Sequence, residues 1–332
     1  MRYTLGMTFF SPRIRVAVLR GGPSSEYDVS LKTGAQILSI LREMPETYEP
    51  VDVFISRDGE WHRGGLVEDA HRVLRHADVV WNALHGSYGE DGQVQRILES
   101  VQIPFTGSSA VASALSMNKE MAKKVYALHS LDTPQHEVLE KDNYSDDHLV
   151  FIFRNYLHPV IVKPSSSGSS IGMRLAHDFG ELKEAVDEAF AHSKKVLIEE
   201  FIKGREATCG VVDNFRGQRH YALIPVEIRK PNHKTFFDYD AKYSGKTQEI
   251  CPGRFTIVER SMIEEMAKSA HHALGLRHYS RSDFMITPKG KVYILETNSL
   301  PGFTAESLLP KSLEAVAWHP RAFVHPVLSV TK

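Results

Sequence analysis

The chain has 332 residues, with 40 Lys+Arg against 41 Asp+Glu and a formal net charge of −1. At roughly 150 residues per domain this predicts about two domains, or three small ones, and 42% apolar with 24% charged residues suits a globular protein with a core. The even charge balance argues against a basic nucleic-acid face, and no run reaches the roughly 18 apolar residues of a membrane span. Two cysteines, Cys209 and Cys251, cannot build a disulfide framework, so a soluble chain in a reducing, cytosolic compartment is expected. The start, MRYTLGMTFFSPR, holds an apolar stretch too short and interrupted for a signal peptide.

Residues 15–19 (RVAVL) read as a strand that stops at Gly21-Gly22-Pro23-Ser24-Ser25. Val29, Leu31, Ile37, Leu38 and Leu41 then set a helix that ends before Pro45. Strand, glycine turn and helix open a layered α/β unit. Residues 48–55 and 79–84 follow as strands and 91–100 as a short helix, with a domain boundary near 107. A single helical stretch is predicted from 109 to 129, then a strand at 160–163, a small-residue loop at 165–172, a helix at 178–192 and a strand at 196–200. Strands at 206–212 and 221–228 flank a turn at 214–217. The polar, aromatic segment 231–252 has little periodicity, and a loop of that length is more often a functional lid than a linker. An amphipathic helix at 259–274 precedes a hairpin from 279 to 297. No repeat or low-complexity tract occurs.

The hairpin carries the sharpest chemical pattern. Arg281, Asp283 and Met285 alternate with Ser282, Phe284 and Ile286, so Arg281 and Asp283 share a face. A two-residue turn at Lys289-Gly290 puts Asp283 opposite Glu296 and Arg281 opposite Asn298. Two carboxylates, an amide oxygen and a guanidinium then converge. Oxygen donors without His or Cys select Mg²⁺ or Mn²⁺ over zinc, and a cation between facing carboxylates removes their repulsion. A surface hairpin with cross-strand charges has the same pattern, and a one-residue slip in the turn would send the pairs to opposite faces.

Lys163, at a strand end, precedes a Ser/Gly loop whose backbone N–H groups could close on phosphate, although the same composition makes an ordinary turn. Neither a G-x-x-x-x-G-K-[ST] loop nor a G-x-G-x-x-G fingerprint is present. His85, at the end of a strand, faces the crevice where open α/β sheets bind ligands, in a chain with 17 histidines that are mostly structural or solvated. No H-E-x-x-H or Cys/His zinc spacing occurs, which argues against a catalytic zinc. The sequon at Asn143-Tyr144-Ser145 is read as chance, and neither cysteine has a nucleophile context.

Seven blocks in order closely resemble the D-alanine–D-alanine ligases of the ATP-grasp superfamily. They are GGPSSEYDVS (21–30), ALHGSYGEDGQVQ (83–95), IPFTGSSAVASALSMNKEMAK (103–123), VIVKPSSSGSSIGM (160–173), VLIEEFIKGREAT (196–208), FFDYDAKYSGKTQEICP (236–252) and RSDFMITPKGKVYILETNSLPGFTAESLLP (281–310). The resemblance implies a mixed α/β and α+β chain with an ATP-grasp fold. An N-terminal open α/β (Rossmann-like) substrate domain would span 1–107, a small central ATP-grasp subdomain 108–198 and a larger C-terminal one 199–332, with 231–252 as a closing loop. The implied reaction phosphorylates one D-alanine with ATP, and the amine of a second attacks the acyl phosphate, supplying the dipeptide for peptidoglycan precursors.

The resemblance also implies residue roles. Asp283, Glu296 and Asn298 would hold two Mg²⁺ (or Mn²⁺), and Arg281 with the backbone N–H of Gly302 would stabilise the acyl phosphate and the tetrahedral intermediate. Lys119 and Lys163 would hold ATP phosphates, Glu199, Glu200, Phe201 and Ile202 the adenine, and Glu206 the ribose. Glu26 would bind the first ammonium within a hydrogen-bonded set with Ser169 and Tyr243, with His85 close by, while Lys242 and Ser307 would fix the second carboxylate. Asp-Ala-Lys-Tyr at 240–243 favours an amine over the D-lactate hydroxyl and leaves D-serine open. A silent ATP-binding module would lack Arg281 or one of the metal-ligating residues, and all four are present. A cytoplasmic homodimer without nucleic-acid or membrane partners is the family expectation. Asn118 stands where aspartate is common, residues 1–11 precede the expected first strand with Met7 a second candidate start, and the chain ends soon after Leu328, early for the usual last helix.

Overall fold

A computed structural model describes residues 13–165, 172–229 and 247–331. Three sheets organise them. In the first, β1 (Ile14–Gly21) pairs in parallel with β2 (Tyr48–Ile55) on one side and β5 (Val79–Asn82) on the other. Helix α1 (Tyr27–Arg42) makes the β1–β2 crossover, burying Ile37, Leu38 and Leu41 as their spacing predicts. Gly21 has φ +93°, and a side chain there would run into the Ile55 carbonyl, which is why the strand must end on glycine. The sequence reading did not include β3 (Trp61–Arg63), β4 (Leu66–Val67) or α2 (Ala70–Leu74), which extend the sheet to the order β4-β3-β2-β1-β5. Helix α3 (Gln93–Ser100) follows.

The stretch 109–129 is two helices, α4 (Ala110–Met117) and α5 (Lys119–Leu128), not one. Asn118 breaks it: its backbone is extended (ψ 103°), and its side chain accepts from the Met121 N–H to cap α5. The second sheet, order β6-β9-β7-β8, is antiparallel and contains β6 (His136–Glu140), β7 (Val160–Pro164), β8 (Arg174–Ala176) and β9 (Lys195–Glu200). Helices α6 (Asp146–Asn155) and α7 (Phe179–Phe190) cover it, and Leu182, Ala185, Val186 and Ala189 are fully buried.

The third sheet runs β13-β12-β10-β14-β15, with β11 paired to the far end of β10 (Arg205–Phe215). The predicted strand 221–228 is two strands, β11 (Gln218–Ala222) and β12 (Val226–Arg229). Pro225, which has no N–H to donate, lies in the break between them. Part of the predicted loop 231–252 is β13 (Gln248–Ile250), held by pairing with Glu227–Arg229; residues 230–246 lie outside the described residues. Helix α8 (Ile257–Ala273) begins at a reciprocal Thr256–Glu259 capping box and packs behind β14 (Tyr279–Ile286) and β15 (Val292–Asn298).

A last helix forms where the sequence reading expected the chain to end early: α9 (Leu308–Ala315) leads to α10 (Pro320–Val330), which buries Phe323, Val324, Val327 and Leu328. These do not pack within the third sheet alone. They join Val16, Val18, Tyr48 and Trp81 of the first sheet in one core, where Trp81 stacks on Tyr279 of β14 with ring centroids 6.3 Å apart. That shared core sets the end of β5, and hence His85, against the strand that carries Arg281.

Candidate active site

Strand β1 is flanked by β2 and β5, so chain connections diverge at its carboxyl end, the place where open parallel sheets form a crevice. Glu26 stands immediately before α1 there, without a side-chain capping bond, and His85 follows β5. His85 is buried, with Nε2 3.0 Å from Thr33 Oγ1 and Nδ1 3.1 Å from the Leu300 carbonyl; the Glu90 carboxylate lies 3.5 Å away. Burial opposes a charged ring, but Glu90 and Glu26 outweigh it, and His85 titrates above its ordinary value.

On the second sheet, the register Ile161↔Glu199 and Lys163↔Leu197 puts Lys163 and Glu199 on one face. Lys163 Nζ lies 2.5 Å from Glu199 Oε1, and Lys123 Nζ, one turn beyond Lys119, lies 2.9 Å from Oε2. Burial alone would raise the Glu199 carboxyl, yet the two lysines hold it down to about 2; burial in turn lowers Lys123 to about 8. Glu200 is fixed at the strand end by Gln135, whose backbone N–H donates to Oε1 at 3.0 Å. Phe201 and Ile202 then lead to Glu206 on β10.

The hairpin β14–β15 brings the predicted pairs together by a different route. The turn holds three residues, Pro288-Lys289-Gly290, closed by Gly290 N–H to the Thr287 carbonyl, with Gly290 at φ +81°. Near the turn Phe284 therefore pairs with Ile294, one residue off the predicted register. A bulge between Asp283 and Phe284 absorbs Leu295, and Asp283↔Glu296 and Arg281↔Asn298 pair as expected. Arg281 grips Asp283 with two hydrogen bonds of 2.9 and 3.0 Å, and Thr208 Oγ1 donates to the same carboxylate at 2.6 Å. Burial disfavours the guanidinium charge, but Asp283 and Glu296 outweigh it and keep Arg281 firmly protonated. Glu296 lies 3.6 Å from Lys119 Nζ, and Asn298 Oδ1 accepts from the Leu300 N–H at 2.9 Å. A Cβ on Gly302 would come within 2.8 Å of Ser307 Oγ, so a larger residue would push against that hydroxyl.

These three groups line one cavity of about 870 Å³. Its walls include Glu26, His85, Lys119, Lys163, Glu199, Glu200, Phe201, Ile202, Glu206, Arg281, Asp283, Glu296, Asn298, Gly302 and Ser307. Ser169, Lys242 and Tyr243 lie outside the described residues. Sequence reasoning missed Thr208, Glu90 and Lys123. Thr208 stands two residues beyond Glu206 on a strand and Lys123 four beyond Lys119 on a helix, so periodicity already put each on the face of a recognised residue. Two carboxylates and an amide oxygen facing the cavity are a hard donor set, which suits Mg²⁺ or Mn²⁺.

Comparison with known proteins agrees over nearly the whole chain. A family model described as D-ala D-ala ligase C-terminus matches residues 125–329, and one described as D-ala D-ala ligase N-terminus matches 65–108. The D-alanine--D-alanine ligase of Geobacter sulfurreducens is 38% identical over 305 residues, 90% of this chain and 87% of that protein. That of Hydrogenovibrio crunogenus is 38% identical over 318 residues, covering 96% and 94%. Among solved structures, VanG D-Ala:D-Ser ligase from Enterococcus faecalis superposes with a TM-score of 0.84 at 27% identity, covering 97% of this chain and all of that one. D-alanyl-alanine synthetase A from Vibrio cholerae gives 0.83 at 27% identity over 96% and 98%.

Proposed function

Because the chain belongs to the D-alanine–D-alanine ligase family, and so is an ATP-grasp enzyme that uses ATP to join two D-alanines for peptidoglycan synthesis, we propose how its own residues divide that work. The observation that carries the assignment is the lining of one cavity by residues from all three sheets. ATP lies between the second and third sheets, its adenine against residues 199–202, its ribose at Glu206 and its phosphates at Lys119 and Lys163. Glu26 holds the ammonium of the first D-alanine and His85 borders it. The first carboxylate attacks the terminal phosphorus, giving ADP and an acyl phosphate; the neutral amine of the second D-alanine then adds to the carbonyl. Arg281 and the Gly302 N–H face the oxyanion that forms, and its collapse expels phosphate. Ser307, with Lys242, fixes the second carboxylate, while Ser169 and Tyr243 complete the set around Glu26.

Asp283, Glu296 and Asn298 would hold two Mg²⁺ or Mn²⁺, which supply charge neutralisation on the phosphoryl oxygens when bound. The proposed units are 1–107, 108–198 and 199–332, with 231–252 closing over the reaction to exclude water. The reading extends to a cytoplasmic homodimer, as the family leads one to expect, without nucleic-acid or membrane partners; the balanced charge speaks against a nucleic-acid face, and no described helix is long and apolar enough to cross a membrane. The test is ATP-dependent phosphate release with Mg²⁺, comparing D-alanine, L-alanine, and D-alanine with D-serine or D-lactate, with products identified by mass. Release with D-alanine alone, yielding the dipeptide, is expected. Release that requires D-serine or D-lactate would overturn the second-substrate assignment.

A further inference from the structure

Behind the third sheet, away from the cavity, three side chains from three elements converge. Asp213 on β10 pairs directly with His220 on β11, and His271 comes from the last turn of α8. His220 Nδ1 lies 2.8 Å and His271 Nε2 3.1 Å from the same oxygen, Asp213 Oδ1. Strand alternation puts Asp213 with Cys209 and Val211, which pack against α8, on the face opposite Glu206 and Thr208. None of the three residues lines the catalytic cavity.

We propose that Asp213, His220 and His271 form a second divalent-cation site, selective for an imidazole-seeking transition ion such as Zn²⁺. Two imidazoles and one carboxylate are the three-ligand set of zinc sites that leave a fourth position to water, and they differ in kind from the oxygen donors around Asp283. The outer contacts are those of a built site. His271 Nδ1 lies 2.7 Å from Ser280 Oγ, so an Nδ1–H donated to that hydroxyl leaves the Nε2 lone pair for the ion. The His278 N–H donates to Asp213 Oδ2 at 2.7 Å, fixing the carboxylate while leaving Oδ1 for the ion. His271 is fully buried, so its ring is held in place by its surroundings.

His220 Nδ1 and His271 Nε2 share Oδ1 as hydrogen-bond partner, and among the described residues the buried Nε2 of His220 has none. Ligands about 2.0–2.2 Å from a tetrahedral ion stand roughly 3.3 Å apart. One ligand atom from each residue lies within 4.8 Å of the others, and the two nitrogen–oxygen separations of 2.8 and 3.1 Å need to widen by only a few tenths of an ångström. Asp213 and His220 are partly exposed, which gives the ion a way in. No linear zinc motif announces the site because the ligands meet only through the hairpin and the helix end.

The full-length, untagged chain, stripped with a chelator, is dialysed against Zn²⁺ in the presence of excess Mg²⁺ and then against Co²⁺. One Zn²⁺ per chain is expected, with a two-imidazole first shell by X-ray absorption and visible ligand-field bands for Co²⁺. His220→Gln, which keeps a donor toward Asp213, should lose binding by at least about tenfold, and Ser280→Ala should weaken it about tenfold. Glu296→Gln should bind unchanged, and thermal stability should rise with Zn²⁺ in the wild type but not in His220→Gln. An all-oxygen shell, binding lost in Glu296→Gln, or no bound Zn²⁺ would overturn the proposal. The wild-type absorption result decides the matter even if a variant fails to fold.

Discussion

The Arg281 guanidinium and the Thr208 hydroxyl both rest on Asp283, so the carboxylate proposed to hold a cation also aligns the group proposed to meet the oxyanion. Arg281→Ala is expected to lower kcat by about a hundredfold or more while ATP affinity, measured by calorimetry, changes little. Loss of nucleotide binding instead would move Arg281 out of the reacting centre. Glu199 gives a pH signature. Its carboxyl is held below the ordinary value of 4.5, to about 2, so between those values the unfolded chain binds the additional proton. The stability it contributes is therefore complete above pH 4.5 and is lost as pH falls toward 2. Denaturant titrations between pH 5 and 3 should show a steeper loss in the wild type than in Glu199→Gln, and the variant should also be less stable at pH 7 because Lys123 and Lys163 lose their counter-ion. Arg281 and Asp283 were legible because strand alternation fixes which neighbours share a face. The hydrogen bond of Thr208 to Asp283 was not, because it bridges strands 75 residues apart that only the third sheet brings together.

Among the elements, β15 shows how a correct pairing can rest on two departures from the simplest geometry. The three-residue turn slips the register by one, and the bulge at Leu295 restores it before Glu296. Without the bulge, Glu296 would oppose Ser282 and face α8. Deleting Leu295 removes the surplus residue and keeps Asp283 opposite Glu296, so Mg²⁺-dependent turnover should survive. Inserting one alanine between Leu295 and Glu296 exchanges the faces of Glu296 and Thr297, so turnover should vanish, with circular dichroism reporting whether the fold remains. The sequence predicted the pairs because both faces are specified at Asp283 and Glu296. It could not reveal the bulge, since Leu295 continues the apolar character of Ile294 and no residue type marks it as surplus. Asn118 was similarly opaque: the apolar periodicity runs through 109–129, and only its capping hydrogen bond to Met121 breaks the run.

At the scale of the whole molecule, three sheets meet at one cavity because the first and third share a core that the C-terminal helices complete. Phe323 sits at its centre, 5.2 Å ring to ring from Phe303 and 5.5 Å from Tyr279, and Trp318 stacks on Phe215 at 3.6 Å. Phe323→Ala should cost about 3–5 kcal/mol, read from the denaturation midpoint. Activity should fall with it, since this core sets His85 against Arg281. The longer strands were readable from local patterns, whereas the short β3, β4, β6, β8 and β13 were not, and neither was this closure, because residues some three hundred positions apart carry no local signal of their contact. The same closure orders events during synthesis. Chains leave the ribosome N-terminus first, and the face of the first sheet bearing Val16, Val18 and Trp81 has only α1 over it until the third sheet, and last of all residues 303–328, emerge. For most of translation the nascent chain therefore carries an uncovered apolar surface. Chaperone engagement during synthesis is expected, and a message truncated before α10 should yield aggregate rather than a soluble amino-terminal fragment.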